Sequence, residues 1–65
     1  MKLIRLRQVM EVTGLGRSTI YKYIAENCFP KPVQLGERSV GWVESEVHEW
    51  IMERVNERNT RASWK

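Results

Sequence analysis

The feature that most restricts the fold is a pair of glycines, Gly14 and Gly16, which separates two short segments of helical periodicity. A glycine just after the last turn of a helix adopts the left-handed conformation at little cost, so Gly14 predicts the end of a first helix. A second helix would begin near Gly16 or Arg17 and end at Glu26 or Asn27. Two short helices joined by so tight a turn are typical of a helix-turn-helix. The residues that would face inward from the turn and the second helix are Leu15, Ile20, Tyr23 and Ile24.

The polar face of the predicted second helix carries several hydrogen-bond donors. In a helix-turn-helix this helix enters the major groove of DNA, with its first residues near the base edges. Arg17 can there donate two parallel hydrogen bonds to guanine O6 and N7, or it can bind a phosphate. Lys22, a point charge on a long stem, favours a phosphate, and Tyr21 suits a phosphate or a thymine methyl. The candidate DNA contacts on this helix are Arg17, Ser18, Thr19, Tyr21 and Lys22.

A β-hairpin is predicted after the helices. The stretch at 29–32, Phe-Pro-Lys-Pro, cannot continue a helix. Residues 33–35 and 40–43 then have the character of two strands, with a turn at 36–39. A hairpin appended to a helix-turn-helix forms a wing, whose tip would carry Arg38 and Ser39 beside the second helix. Arg38 would enter the minor groove or bind a flanking phosphate, and Lys31 and Arg5 are further candidate contacts.

The two ends of the chain complete the predicted fold. Residues 1–6 predict a short strand that leads into the first helix. A last helix would start near Glu44 and bury an apolar stripe, and beyond residue 58 the pattern stops. The prediction is therefore one domain at 1–58, mainly α with a small β-hairpin, a winged helix-turn-helix, followed by a flexible tail at 59–65 in which Trp64 has no assigned role. The apolar stripe of the last helix consists of Val47, Trp50, Ile51 and Val55.

Charge is unevenly distributed along the chain. Residues 1–42 hold seven Lys and Arg against three Glu, whereas residues 43–57 hold one Arg against five Glu. Three further basic residues follow, and the whole chain carries a formal net charge of +3. Because the basic part contains the predicted helix-turn-helix, the distribution favours a polyanionic partner on one face of the domain.

The composition argues against an enzyme or a metal protein. The chain contains no Asp, one His and one Cys, so neither a carboxylate-oriented triad nor a four-ligand zinc site can be completed within it. We expect His48 on the surface, Cys28 partly buried and inert, and no cofactor, metal or internal disulfide. Nothing resembles a signal peptide or a membrane span, so a cytoplasmic location without a membrane partner is expected.

Three blocks of the sequence, in this order, resemble the AlpA family of small prophage-encoded DNA-binding regulators. They are residues 5–10 and 13–21 (RLRQVM and TGLGRSTIY), 29–36 (FPKPVQLG), and 40–42, 44–47 and 50–51 (VGW, ESEV and WI). The resemblance implies a winged helix-turn-helix similar to the DNA-binding part of MerR proteins and to phage excisionases. It also implies a transcriptional regulator that typically activates a prophage integrase gene and so promotes excision. The chain has Gly16 where members usually have Ser, which affects the start of the second helix and not the fold.

Three functions remain open from the sequence. The first is a sequence-specific transcriptional regulator of AlpA type that acts on prophage integrase or excision genes. The second is an excisionase-like protein that bends attachment-site DNA for a recombinase. The third, from another class, is a protein-interaction module that acts through the acidic last helix. The predicted partner is double-stranded DNA, with RNA polymerase, a phage integrase and further copies of the chain bound on DNA as additional candidates.

Overall fold

The computed structural model describes residues 1–60, which form a mainly helical fold with a small antiparallel sheet. The predicted helix-turn-helix and hairpin are confirmed. The elements in chain order are β1 (Leu3–Ile4), α1 (Leu6–Thr13), α2 (Arg17–Ala25), β2 (Val33–Gln34), β3 (Val40–Val43) and α3 (Glu44–Thr60).

The turn between α1 and α2 is held by hydrogen bonds to the last residues of α1. Gly14 adopts the left-handed conformation (φ 74°), and its N–H donates to the carbonyl of Met10 at 2.8 Å. The Thr13 hydroxyl donates to the carbonyl of Val9 at 2.7 Å and accepts from the N–H of Leu15 at 3.2 Å. These bonds satisfy polar groups at the end of α1, and they fix where that helix ends.

Replacing Gly14 by alanine is expected to destabilise the domain by about 1 kcal/mol, because an L-residue with a Cβ is strained at this positive φ. Thermal unfolding followed by circular dichroism should then show a midpoint lower by roughly 4–8 °C. Gly16→Ser is the matched control, since Gly16 has a φ of −78° that any residue adopts. An unchanged midpoint for Gly14→Ala would show that the turn does not need this conformation.

The sheet has three strands in the order β1-β3-β2, all antiparallel. Leu3 lies opposite Val43 and Ile4 opposite Trp42, while Val33 lies opposite Gly41. The sequence predicted β2 and β3 as a hairpin and a short strand at residues 1–6, for which it named no partner. The pairing of β1 with β3 adds to that prediction, and it gives β3 hydrogen-bonded neighbours on both sides.

The core is centred on Trp42, which is fully buried. Its indole Nε1 donates a hydrogen bond to the carbonyl of Pro30 at 3.0 Å, so burial leaves the polar atom of the ring satisfied. This bond also ties the segment before β2 to the central strand. One residue from each of several elements completes the buried cluster, which consists of Ile4, Val9, Ile20, Phe29, Trp42 and Val47.

Helix α3 follows β3 without a loop and packs through the predicted apolar stripe. Val47 is buried, and Trp50, Ile51 and Val55 are half-buried. The helix continues to Thr60, two residues past the predicted domain end at 58, and the rest of the predicted tail, with Trp64, lies outside the described residues. No helix in residues 1–60 combines the length and the apolar character that crossing a membrane requires.

The predicted partial burial of Cys28 is wrong, because the residue is exposed. Asn27 takes a left-handed conformation (φ 60°) that ends α2 and turns the chain. The backbone of Cys28 is then fixed on both sides: its N–H donates to the carbonyl of Tyr23 at 2.7 Å, and its carbonyl accepts from Nε1 of Trp50 at 2.6 Å. The side chain that enters the core from this segment is that of Phe29, whose ring meets Trp50 edge-on at 4.9 Å between centroids.

Candidate nucleic-acid interface

Helix α2 packs one side against the core and exposes the other side to solvent. Ile20 is fully buried, and Tyr23 and Ile24 are half-buried against the core. Because these residues recur at helical spacing, the opposite side of the helix faces solvent. Ser18 and Lys22 are exposed there, as the sequence predicted for a polar outer face, and Arg17, the first residue of the helix, is exposed at its start.

The start of α2 leaves its backbone donors accessible. Gly16 is the N-cap, and it offers no side chain to accept a hydrogen bond from the first turn. The first N–H groups of a helix have no intrahelical acceptor, and together with the helix dipole they attract anions. This end of the helix therefore combines backbone donors with the side chains of Arg17 and Ser18.

Two of the five candidate residues on α2 are only partly available to a ligand. Thr19 is half-buried, which restricts its hydroxyl to the edge of the helix. Tyr21 is 42% exposed, and its ring lies against that of Trp42, with centroids 6.4 Å apart and an interplanar angle of 63°. This contact was not predictable from the sequence, because the two residues are 21 positions apart along the chain.

The cationic groups of α2 are not neutralised by the rest of the described chain. Within residues 1–60, no carboxylate lies within 4.0 Å of the charged nitrogens of Arg17 or Lys22. Both are exposed. Their charge is therefore available to an external anion.

The tip of the hairpin is ordered by its own hydrogen bonds. The N–H groups of Leu35 and Gly36 donate to the carbonyl of Ser39 at 2.7 and 3.2 Å. The side-chain amide of Gln34 donates to the carbonyls of Gly36 and Glu37. Arg38 is exposed at this tip and Ser39 is half-buried, so Arg38 is the hairpin residue with the more accessible side chain.

The two remaining basic candidates occupy different places. Arg5 lies beside the hairpin, where its Nη1 donates to the carbonyl of Val40 at 3.5 Å. Lys31 lines an open cleft on another part of the surface, together with the acidic residues of α3. That location makes Lys31 the candidate whose electrostatic surroundings are least favourable to DNA. The acidic residues of this cleft are Glu46, Glu49 and Glu53.

The outward face of α3 is acidic in the folded chain. Glu49, Glu53 and Glu57 are exposed, and Arg54 pairs with Glu57 at 3.0 Å and with Glu53 at 3.9 Å. The Arg54 guanidinium also lies 4.9 Å from the centroid of the Trp50 ring, which holds it close to its own helix. The charge separation seen along the sequence thus corresponds to separate elements, with basic groups on α2 and an excess of acidic groups on α3, while the hairpin tip carries Arg38 next to Glu37.

The architecture of residues 1–60 defines the class. A tight turn joins α1 to α2, the hairpin β2–β3 packs with β1, and α3 closes the core, an arrangement of three helices and a small sheet that is a winged helix-turn-helix. This confirms the fold class predicted from the sequence.

Comparison with known proteins identifies the family. Residues 2–55 match the family model described as "Prophage CP4-57 regulatory protein (AlpA)". The chain belongs to this family. It is 39% identical over 59 residues to the "DNA-binding transcriptional activator AlpA" of Escherichia coli (strain K12), a match that covers 82% of this chain and 84% of that protein.

A second relative comes from a phage. The chain is 43% identical over 54 residues to the "Uncharacterized protein ORF88" of Enterobacteria phage P4. The match covers 83% of this chain but 61% of ORF88, so the chain corresponds to a part of that protein.

Proposed function

We propose that this protein is a sequence-specific DNA-binding transcriptional regulator. The observation that carries the proposal is the exposure of three polar side chains of α2, with Arg17 and Ser18 in its first turn and Lys22 in its last, on a helix that is anchored in the core by Ile20. An α-helix with its side chains fits the major groove of B-DNA, which is about 12 Å wide. In this pose α2 lies in the groove and the hairpin lies beside it.

Three exposed residues of α2 and the hairpin tip have distinct roles in the proposed complex. Arg17 donates to guanine O6 and N7, a pairing that distinguishes guanine from the other bases. Ser18 and the backbone donors of the first turn bind a phosphate or a base edge. Lys22 binds a phosphate and so contributes affinity without reading sequence. Arg38 contacts the minor groove or a flanking phosphate, and the neighbouring Ser39, which is half-buried, lies next to this contact.

The acidic surface of α3 orients the protein on DNA. Exposed carboxylates are repelled by the phosphate backbone, whereas the cations of α2, which pair with no carboxylate in residues 1–60, are attracted to it. The field of the protein therefore favours an approach with α2 toward the duplex and the exposed carboxylates of α3 away from it. This preference acts before any base is contacted, and it depends on salt.

The genes under control are proposed to be prophage integrase or excision genes. The E. coli relative is named as a transcriptional activator and the family model as a prophage regulatory protein, which supports a regulatory role in a prophage. Excisionase activity would use the same surface of α2 and the hairpin. The two functions differ in where on the DNA the protein binds.

The experiment that tests the proposal is selection from a pool of random duplexes, followed by footprinting over the prophage region that encodes the protein. A regulator is expected to enrich one short motif and to protect a promoter next to an integrase gene. Cooperative protection of an attachment site would contradict a purely regulatory role and favour an excisionase. Equal recovery of all sequences would overturn sequence-specific binding.

Replacing Lys22 by alanine is expected to weaken binding by a similar factor on all duplexes, because a phosphate contact carries no base information. The slope of log K against log salt should become shallower by about 0.9, the contribution of one neutralised phosphate. Fluorescence anisotropy at several salt concentrations measures both quantities. A preserved slope would show that Lys22 does not contact a phosphate.

A further inference from the structure

The contact between Tyr21 and Trp42 joins the two elements that the proposed complex places on DNA. Tyr21 lies one helical turn after Arg17 on α2, so the two side chains share a face of the helix. Trp42 lies in β3, the strand that leads directly away from the hairpin tip. The two rings meet edge to face, with centroids 6.4 Å apart and an interplanar angle of 63°, which is an arrangement that aromatic pairs prefer.

Trp42 is a fixed surface for this contact. Its ring is fully buried, its Nε1 is bonded to the carbonyl of Pro30 at 3.0 Å, and its backbone pairs with Ile4 across β1 and β3. A side chain held in this many ways cannot change its rotamer without disturbing the core. The position of Tyr21 relative to β3 is therefore well defined, although Tyr21 is itself 42% exposed.

The hairpin tip follows β3 because its hydrogen bonds are internal. Ser39 precedes β3 directly, and its carbonyl accepts from Leu35 and Gly36 across the turn. Arg38 lies in this turn, one residue before Ser39, and is therefore connected to β3 by an internally bonded segment. A contact between α2 and β3 consequently sets the spacing between Arg17 on the helix and Arg38 on the hairpin.

We propose that Tyr21 is a positioning residue, which through Trp42 holds α2 and the hairpin at the spacing that lets Arg17 and Arg38 bind one duplex together. The inference rests on the proposed function and adds to it. It gives Tyr21 a role distinct from the phosphate or thymine contact predicted from the sequence. The ring matters in this role, and the hydroxyl does not.

The test measures how strongly Arg38 contributes to binding with and without the Tyr21 ring. Affinity for the selected duplex is measured by fluorescence anisotropy at one fixed salt concentration. In the parent protein, Arg38→Ala is expected to weaken binding by about tenfold, as loss of a charged contact does. In the Tyr21→Ala background the same change is expected to weaken binding less than about twofold, because the hairpin no longer reaches its contact in register.

Tyr21→Phe is the rescue variant, since it keeps the ring and removes the hydroxyl. It is expected to bind as the parent does and to restore the full effect of Arg38→Ala. Tyr21→Leu keeps apolar volume without an aromatic ring, and it replaces Tyr21→Ala if that variant does not fold. Circular dichroism of each variant checks that the helices are retained.

The possible results separate the inference from the function on which it rests. An Arg38→Ala effect that is equal in both backgrounds, or absent from the parent, overturns the positioning role. A loss of affinity in Tyr21→Phe as large as in Tyr21→Ala also overturns it, because the hydroxyl would then be the important group. The Arg17→Ala variant tests the proposed function separately. If it loses binding while either of these results is found, only the positioning role fails and the proposed function stands. If it binds and discriminates between duplexes as the parent does, the proposed function itself is overturned.

Discussion

Trp42→Ala is expected to unfold the domain or leave it only partly folded at room temperature. The substitution removes a fully buried indole from the centre of the core, a change that typically costs about 3–5 kcal/mol. It also removes the donor to the carbonyl of Pro30. A chain of this length has a free energy of unfolding of roughly 3–10 kcal/mol, so the loss caused by Trp42→Ala is comparable with the total stability of the domain.

Thermal unfolding by circular dichroism measures this effect, and two further variants calibrate it. Trp42→Phe keeps most of the ring volume but not the Nε1 donor, so it should fall between the parent and Trp42→Ala. Met52→Ala alters a large apolar side chain that is 43% exposed on α3, and it should change stability by less than about 1 kcal/mol. A cooperative transition for Trp42→Ala within a few degrees of the parent would contradict the central place given to Trp42.

Arg17→Ala is expected to have the largest effect on DNA recognition. A bidentate arginine–guanine pair contributes roughly 1–3 kcal/mol of discrimination, which corresponds to a loss of about 5- to 150-fold in affinity for the preferred duplex. Affinity for unrelated DNA should fall much less. The preference at one base position should relax, because the remaining contacts of α2 do not read that base.

Competition binding against duplexes that vary one position at a time measures this change. Arg58→Ala is the matched control, since it removes the same charge from an exposed residue of α3, where the guanidinium contacts the neighbouring Asn59. It should alter affinity slightly and equally on all duplexes. If the two variants behave alike, the contribution of Arg17 is only general electrostatic attraction.

Local chemistry made the helix-turn-helix predictable. Gly14 has the positive φ expected of a helix C-terminus, and α2 starts at Arg17 as the spacing indicated. Pro30 and Pro32 separate the helical and strand segments as expected of residues that cannot continue a helix. These features depend on residues only a few positions apart, so they can be predicted directly from the sequence.

Contacts between distant residues were not predictable in the same way. The pairing of Ile4 with Trp42, and the contact of Tyr21 with Trp42, both join segments that are far apart in sequence. A two-residue strand such as β1 carries too short a pattern to identify its partner. The exposure of Cys28 likewise depends on the turn at Asn27, which decides that Phe29 and not Cys28 enters the core.

The candidate site was predictable in part. The outward direction of Ser18 and Lys22 followed from helical spacing, and the structure exposes both, together with Arg17 at the first position of the helix. The location of Lys31 beside the carboxylates of α3 did not follow, because it depends on how the segment before β2 packs against that helix. Charge along the sequence thus indicated which elements are basic, and the fold determined which surface each one reaches.

The most direct test of the account is an NMR titration of the labelled protein with the selected duplex at one stated salt concentration. The account predicts that the largest amide shifts occur at residues 16–22 and 37–40, with little change along the exposed side of α3. Shifts concentrated at Glu49, Glu53 and Glu57, with α2 unchanged, would contradict it.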